Sequence, residues 1–468
     1  PVRGGAAVDP RHPRVTVLAR GRATGVPAGE GWAALCRLVT DTHLAGERGQ
    51  PVTTPDIVRT WVTAAPASAA PARLLLLLGP DSDVGRALLR RRLDLARTLL
   101  ARWLRLLPPE AVALDVVLHD GPDGTPGCVR QARALLALAD ETGLRAILSA
   151  AVRHRDRADA VVADVLDAAR RLVVLHPRHL DRVSDAAFLA DSATMWERAL
   201  RVTDDRSRAH RLFSDTLAVA AECTLAGRDD LGLGRVHLPE PGILGIPEGT
   251  DPHEVLTHRC RGAIEHRYPG AAASTRHTVT ERLTAELDVI ADLGYATYFL
   301  TVAEVTDLIR GMGVRVAARG SGAGSLVNYL LGISGVDPIR HGLLMERFCS
   351  PLRAELPDID IDVESARRTE IYEAILTRFG AERVTCVSMM DTYKVRHAIR
   401  DVGAALGMLP ADIDEIAKAF PHIRARDVRA AMADLPEVRL RGLTDTRLAT
   451  LFDLVERLDG LPRHIAVH

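Results

Sequence analysis

The segment ELPDIDIDVESARR at 355–368 sets Asp358, Asp360 and Asp362 on every second residue, with Ile359, Ile361 and Val363 between them. In a strand, alternate residues share a face, so the three carboxylates line up ~6.5–7 Å apart and the aliphatic residues point the other way. Like charges that close repel, and burial makes the repulsion worse. Arginine neighbours or a divalent cation relieve it. Magnesium takes oxygen ligands and often uses one or two carboxylates plus substrate phosphates. Two such ions ~3.5–4 Å apart can clamp the attacking and leaving oxygens of a phosphoryl transfer. The alternative is an edge strand with a solvated acidic face.

A second motif lies upstream. VRVAARGSGAGSLVNYLLG at 314–332 runs from a short β-branched stretch into Arg319-Gly320-Ser321-Gly322-Ala323-Gly324-Ser325 and then an amphipathic helix carrying Leu326, Tyr329 and Leu330. Glycines let consecutive N–H groups turn toward one anion. A helix start and the hydroxyls of Ser321 and Ser325 add to the attraction, so the segment reads as a phosphate cradle. A dinucleotide fingerprint fits imperfectly, because the loop lies deep in the chain and not in a leading βαβ unit. A P-loop is excluded, since no Lys-Ser/Thr closes it. A plain glycine turn stays open as an alternative. Taken together, cradle and carboxylates suit a nucleotide held by its phosphates during metal-assisted attack at the α-phosphorus.

These motifs need a frame. A chain of 468 residues with 47% hydrophobic content has room for two or three domains. A net charge of −1 neither supports nor excludes a nucleic-acid partner, so any basic surface must be local. Arginine supplies nearly all the positive charge; Lys394 and Lys418 are the lysines. The cysteines are scattered without a CxxC pair, which predicts reduced thiols in a cytoplasmic protein. LLLLL at 74–78 is too short to span a bilayer, so no membrane association is expected. The chain opens at Pro1 without Met and stops at His468, as a fragment or processed product would.

Along the chain, strands at 15–20, 72–80, 113–122 and 144–152 alternate with helices at 32–46, 84–107 and 126–143. That rhythm predicts an α/β domain over roughly 1–180. Residues 180–230 read as helical and 231–252 as a Pro/Gly-rich linker. An α-rich stretch follows over 253–313. From about 392 the chain reads as helices at 394–407, 410–420, 425–434 and 445–458.

RGSGAGSLVNYLLGISGVDPIRHGLLMERFCSP, followed by LPDIDIDVESARR, resembles the palm of bacterial C-family DNA polymerases, the alpha subunit of DNA polymerase III. The likeness extends through LGYATYFLTVAEVTDLIRGMGVRV, YKVRHAIRDVGAALGM and the closing LPRHIAVH. It implies an α/β multidomain fold: a degenerate PHP-like α/β barrel domain with its helical connection over 1–230, a nucleotidyltransferase-like palm of mixed sheet and helices over 231–391, and a helical thumb over 392–468. It implies DNA-directed DNA polymerase activity with two Mg2+ ions held by Asp360 and Asp362, Asp358 lying further back. Arg319, Gly320, Ser321, Gly322 and Ser325 would contact the dNTP, joined by Lys394, Arg396 and Arg400. Arg424, Arg426 and Arg429 would grip the backbone of primer-template DNA without reading sequence. A sliding clamp and other replisome or mutasome subunits are the implied protein partners. Glu364, Arg367 and Arg368 are more like the family's error-prone, lesion-bypass branch, which implies roles in DNA repair and translesion synthesis as well as replication.

The amino-terminal part resembles the polymerase-and-histidinol-phosphatase (PHP) domain that precedes this palm, through VTVLAR, LDVVLHDG and GLRAILSAAVRH. Members that bind metal there open with a His-x-His strand, which this sequence lacks. Val116 stands where the family often has Glu, and Ala150-Ala151-Val152-Arg153 stands for Asn-Asp-Val-His. His119 and His154 alone make no metal centre, so no metal and no proofreading nuclease are expected in this domain. It would serve as a packing and interaction scaffold. The sequence ends before the family's third catalytic aspartate and the fingers, which predicts either part of a longer polymerase or a truncated relative that binds DNA or a partner without catalysis. A metal phosphoesterase on the first 180 residues is a third possibility that the missing ligands disfavour.

Overall fold

The computed structural model describes residues 12–46, 51–63, 70–176, 184–350, 356–434 and 448–467. The chain forms two compact units, one of Pro1–Leu233 with Ser388–His468 and one of Gly234–Val387.

In the first unit, β1 (Thr16–Ala19) pairs antiparallel with β2 (Leu74–Leu78), and β3 (Val112–Val117) and β4 (Arg145–Ser149) continue the sheet in parallel. The order β1-β2-β3-β4 is a mixed four-stranded sheet. No pairing that would close a barrel occurs among the described residues. All of β2 and β3 is buried, which is why both read as unbroken apolar runs. Helices α1 (Glu30–Ala45), α2 (Pro55–Val62), α3 (Asp83–Leu89), α4 (Leu93–Leu106) and α5 (Val129–Thr142) pack with the sheet around Leu76, Leu100, Leu114 and Leu135. Then come α6 (Ala160–Arg171), α7 (Ser192–Thr203) and α8 (Arg206–Glu222). Val219 of α8 covers the other sheet face, against Leu75, Leu77, Ala113 and Ile147.

The single helix expected over 84–107 is two. Arg91 has φ +59, which breaks the helical path. Trp103 of α4 donates its ring N–H to Asp83 of α3 at 3.1 Å, a contact that needs the chain to fold back.

The second unit holds α9 (Pro252–Arg267), α10 (Ala273–Leu293) and α11 (Ala296–Gly311), then β5 (Val316–Arg319), a 3-10 turn (Gly320–Gly324) and α12 (Leu326–Leu330). After these lie β6 (Asp360–Val363) and α13 (Arg368–Phe379). Strands β5 and β6 form a two-stranded antiparallel sheet. The core joins Leu256, Leu283, Leu287, Phe299, Leu326 and Phe348.

The chain then returns to the first unit with β7 (Ser388–Thr392), α14 (Val395–Ala405), α15 (Pro410–Ala419), α16 (Val428–Asp434), α17 (Ala449–Arg457) and β8 (Pro462–Val467). Val162, Val165 and Ala168 of α6 share one core with Ile399, Val402, Phe420 and Phe452. The all-helical reading from 392 missed the strand at the end of the chain: β8 pairs antiparallel with β7 across the whole helical segment. Ser388–Thr392 carries little β-branched alternation, so local pattern could not reveal it. Among the described residues, no helix is long and apolar enough to cross a membrane.

Candidate nucleotide and metal site

The aspartate segment takes the alternating form its spacing predicts. Asp358, Asp360 and Asp362 are exposed, while Ile359, Ile361 and Val363 are half-buried. Ile361 and Val363 pack against Ile309, Val314 and Ile371. Asp358 falls just before β6. The approach to the strand is pinned by Tyr298, whose hydroxyl donates to the Pro357 carbonyl at 2.6 Å. Burial, reinforced by the charges of Asp358 and Asp360, pushes that hydroxyl up to about 12, so it stays a donor.

Strand β5 brings the glycine loop to these carboxylates. The register pairs Ala317 with Asp362 and Arg319 with Asp360. Arg319 Nε donates to Asp362 Oδ1 at 3.0 Å, and its Nη2 lies 3.9 Å from Asp360 Oδ2. All three side chains are more than half exposed. Such a pairing is weak and exchangeable. Gly320 follows with φ +74, a left-handed conformation that glycine adopts without strain. A Cβ there would lie 3.7 Å from Asp360 Oδ2, so loop and strand are in near contact.

The loop divides in two. Arg319, Gly320 and Ser321 are exposed; Gly322, Gly324 and Ser325 are buried. Ser325 donates its hydroxyl to Glu286 Oε2 at 2.9 Å and accepts from the Asn328 amide at 3.2 Å. The amides of Leu326 and Val327 donate to the same Glu286 carboxylate at 3.0 and 3.1 Å. The helix start that the sequence offered to an anion thus holds one from the protein itself. Glu286 was not singled out from the sequence. Its signal was there: it interrupts the stripe Val279, Leu283, Leu287, Ile290 on the buried side of α10.

Lys394, Arg396 and Arg400 belong to the first unit, whereas Arg319, Asp360 and Asp362 belong to the second. Lys394 is exposed just before α14. Arg396 donates to the Phe420 carbonyl at 2.7 Å, and Arg400 to Asp414 at 3.1 Å. The expected DNA-gripping arginines carry ion pairs: Arg424 and Arg426 with Asp459, at 3.4 and 3.9 Å, and Arg429 with Glu456 at 2.9 Å. His119 Nε2 lies 2.8 Å from the Ala150 carbonyl, and His154 Nδ1 lies 2.9 Å from that of Asp156. Among the described residues, no group of three or more His, Cys, Asp or Glu side chains could hold a metal.

Residues 254–468 match the family described as bacterial DNA polymerase III alpha NTPase domain. The chain is 34% identical over 456 residues to the error-prone DNA polymerase of Symbiobacterium thermophilum, covering 94% of this chain and 39% of that protein. It is 32% identical over 473 residues to the error-prone DNA polymerase of Aromatoleum aromaticum, with 97% and 38% covered. The DNA polymerase III subunit alpha of Bacillus subtilis is 32% identical over 270 residues, with 58% and 24% covered. The chain therefore spans about two fifths of the error-prone relatives' length. Residues 254–468 thus match the polymerase III alpha domain of the bacterial C-family of DNA polymerases, and nearly the whole chain is similar to part of that family's error-prone members.

Proposed function

We propose that the chain takes part in template-dependent transfer of deoxynucleotides to a primer 3′ end, within the error-prone branch of its family. The observation that carries this reading is the β5–β6 ladder, which sets Arg319 and Gly320 beside Asp360 and Asp362. Both relatives named above as error-prone polymerases match nearly the whole chain, which favours that branch. In this reading the unit 234–387 acts as palm and the helices from α14 onward as thumb, gripping primer-template DNA.

Asp360 and Asp362 suit a hard dication: they offer only oxygen, stand on one strand face and are open to solvent. Two carboxylates leave most of a magnesium shell to phosphate and water, as that ion prefers. Two magnesium ions, when bound with the nucleotide, would supply charge stabilisation at the attacking and leaving oxygens. The residues of the chain then have separate tasks. Asp360 and Asp362 would fix where the ions sit. Arg319, now compensating the carboxylates, would turn to the triphosphate, where a fork of N–H donors fits phosphate oxygens. The backbone at Gly320 and the hydroxyl of Ser321 would orient the phosphates close to Asp360. Lys394, Arg396 and Arg400 are proposed as further contacts to the triphosphate or template.

Primer extension with Mg2+ tests the reading. Asp360→Ala and Asp362→Ala are each expected to lower extension by more than about a hundredfold. Extension at the parent rate in both variants would refute it. Primer-template binding without incorporation by the parent would instead favour the non-catalytic relative.

A further inference from the structure

We infer that Glu286 is a positioning residue for the phosphate-binding loop, acting through Ser325 and the amides of Leu326 and Val327, with Arg282 as its partner. The inference rests on the polymerase reading for the identity of the ligand, but not for the geometry.

Glu286 is 2% exposed, in the apolar stripe of α10. A buried carboxylate is costly unless it is both paired and fully hydrogen-bonded. Here it is both. Oε1 accepts from the Leu326 amide at 3.0 Å and from Arg282 Nε at 2.7 Å. Oε2 accepts from the Ser325 hydroxyl at 2.9 Å and from the Val327 amide at 3.1 Å. Arg282 sits one turn before Glu286, and its Nη2 reaches the carbonyls of Gly324 and Leu343, each at 3.3 Å.

A helix cap alone does not account for this investment of charge. Ser325 already caps α12 by accepting from the Asn328 amide, and α12 is only five residues long. What the pair does secure is the inner end of the glycine loop, together with the backbone it rests on. Gly324 is wedged there: a Cβ would lie 2.6 Å from the Leu344 carbonyl oxygen. The outer end of the loop is secured separately, by the β5–β6 ladder at Arg319. Between these anchors Gly320 and Ser321 stand open beside Asp360.

Two consequences follow for a triphosphate. The loop is ordered before the ligand arrives, so binding does not carry the entropy of fixing it. The α12 amides are occupied by the Glu286 carboxylate, and like charge bars a phosphate from that end. The phosphates are directed to the outer end, next to the metal-binding carboxylates.

The test compares the parent 468-residue chain with Glu286→Gln and Arg282→Lys. Glu286→Gln keeps the size but sets an amide N–H against donors; Arg282→Lys keeps the charge but loses the forked reach to Gly324 and Leu343. Hydrogen exchange over 320–328 reports loop order. Calorimetry with dATP and Mg2+ reports nucleotide affinity, and fluorescence anisotropy with a primer-template duplex reports DNA affinity. We expect faster exchange at 325–328 in both variants and dATP affinity about tenfold lower in Glu286→Gln, the scale of one lost charged hydrogen bond. DNA affinity should match the parent, while the melting temperature falls by several degrees in Glu286→Gln because Arg282 loses its buried counter-charge. Parent-like exchange, or parent-like dATP affinity despite faster exchange, would overturn the inference. A joint fall in DNA affinity and dATP affinity would also overturn it, by reducing Glu286 to a general stability residue. A parent that fails to bind dATP sinks the polymerase reading and the triphosphate role with it, while exchange at 325–328 still decides whether Glu286 holds the loop.

Discussion

Arg319 stands opposite Asp360 in the β5–β6 register, yet its Nε donates to Asp362, at 3.0 Å. One guanidinium thus lies between two carboxylates that share a strand face, 3.9 Å from the nearer oxygen of Asp360. The acidic strand and the glycine loop are joined by this cation.

Arg319→Ala should therefore act in opposite directions on two ligands. Removing the positive charge lets the carboxylates attract a free dication more strongly, so Mn2+ affinity without nucleotide should rise by a fewfold, the scale of an exposed ion pair. Affinity for dATP with Mg2+ should fall by about tenfold or more, because a charged phosphate donor is lost. Calorimetry on parent and variant measures both. A fall in both affinities would place Arg319 on the side of metal retention instead.

The two loop glycines should differ. Gly320→Ala places a side chain in the left-handed region, at φ +74, but with 3.7 Å of clearance to its nearest neighbour. A cost of about 1 kcal/mol is expected. Gly324→Ala would set a Cβ 2.6 Å from the Leu344 carbonyl oxygen, a backbone atom that cannot rotate away. Its cost should be larger, on the order of 2–3 kcal/mol. Urea unfolding of the two variants ranks them, and Gly320→Ala as the more damaging would contradict the loop geometry.

The alternation of Asp358, Asp360 and Asp362 with aliphatic residues was legible because one strand face meets solvent and the other meets Ile309 and Ile371. β2 and β3 were legible because burial on both faces leaves no polar interruption. The break at Arg91 was not, since an arginine has no local reason to prefer φ +59. β7 and β8 depend on each other across the helices between them, and such a pairing leaves no mark in either short segment. Glu286 shows the same limit at the site. Sequence places it on a buried stripe, but only the fold reveals that its four partners come from Ser325, the first two residues of α12 and Arg282.

Asp115 of β3 should make stability depend on pH. It is 6% exposed, its Oδ1 has no hydrogen-bond partner, and burial pushes its carboxyl up to about 6, with Ser149 opposing weakly. Between the ordinary carboxylate value and about 6, the folded chain holds a proton that the unfolded chain has released. Stability from this group is therefore greatest at low pH and is lost as pH rises through about 6. Asp115→Asn should be more stable than the parent above pH 6, by on the order of 3 kcal/mol, with the advantage shrinking toward pH 4. Urea unfolding of both proteins across that range checks the sign. An advantage that grows toward pH 4 would contradict it.

Near the end of the chain, Arg463 donates to Asp401 at 2.9 Å, and the Asp401 side chain is 5% exposed. Arg463→Ala leaves that carboxylate buried without its cation, and a loss of about 3–5 kcal/mol is expected. Arg463→Ala with Asp401→Leu should recover part of it, since the buried charge is gone although the Tyr393 hydroxyl loses its acceptor. Equilibrium unfolding of the single and double variants tests this, and equal losses in the two would contradict it.

The central claim is that Asp360 and Asp362 seat metal beside the outer end of the glycine loop. Manganese anomalous scattering from crystals grown with Mn2+ and a dNTP tests it most directly. Peaks should lie within coordination distance of both carboxylates, with the triphosphate against Gly320 and Ser321 and Arg319 turned away from Asp362. Peaks elsewhere, or a bound triphosphate distant from these carboxylates with the Arg319–Asp362 pair intact, would contradict the account.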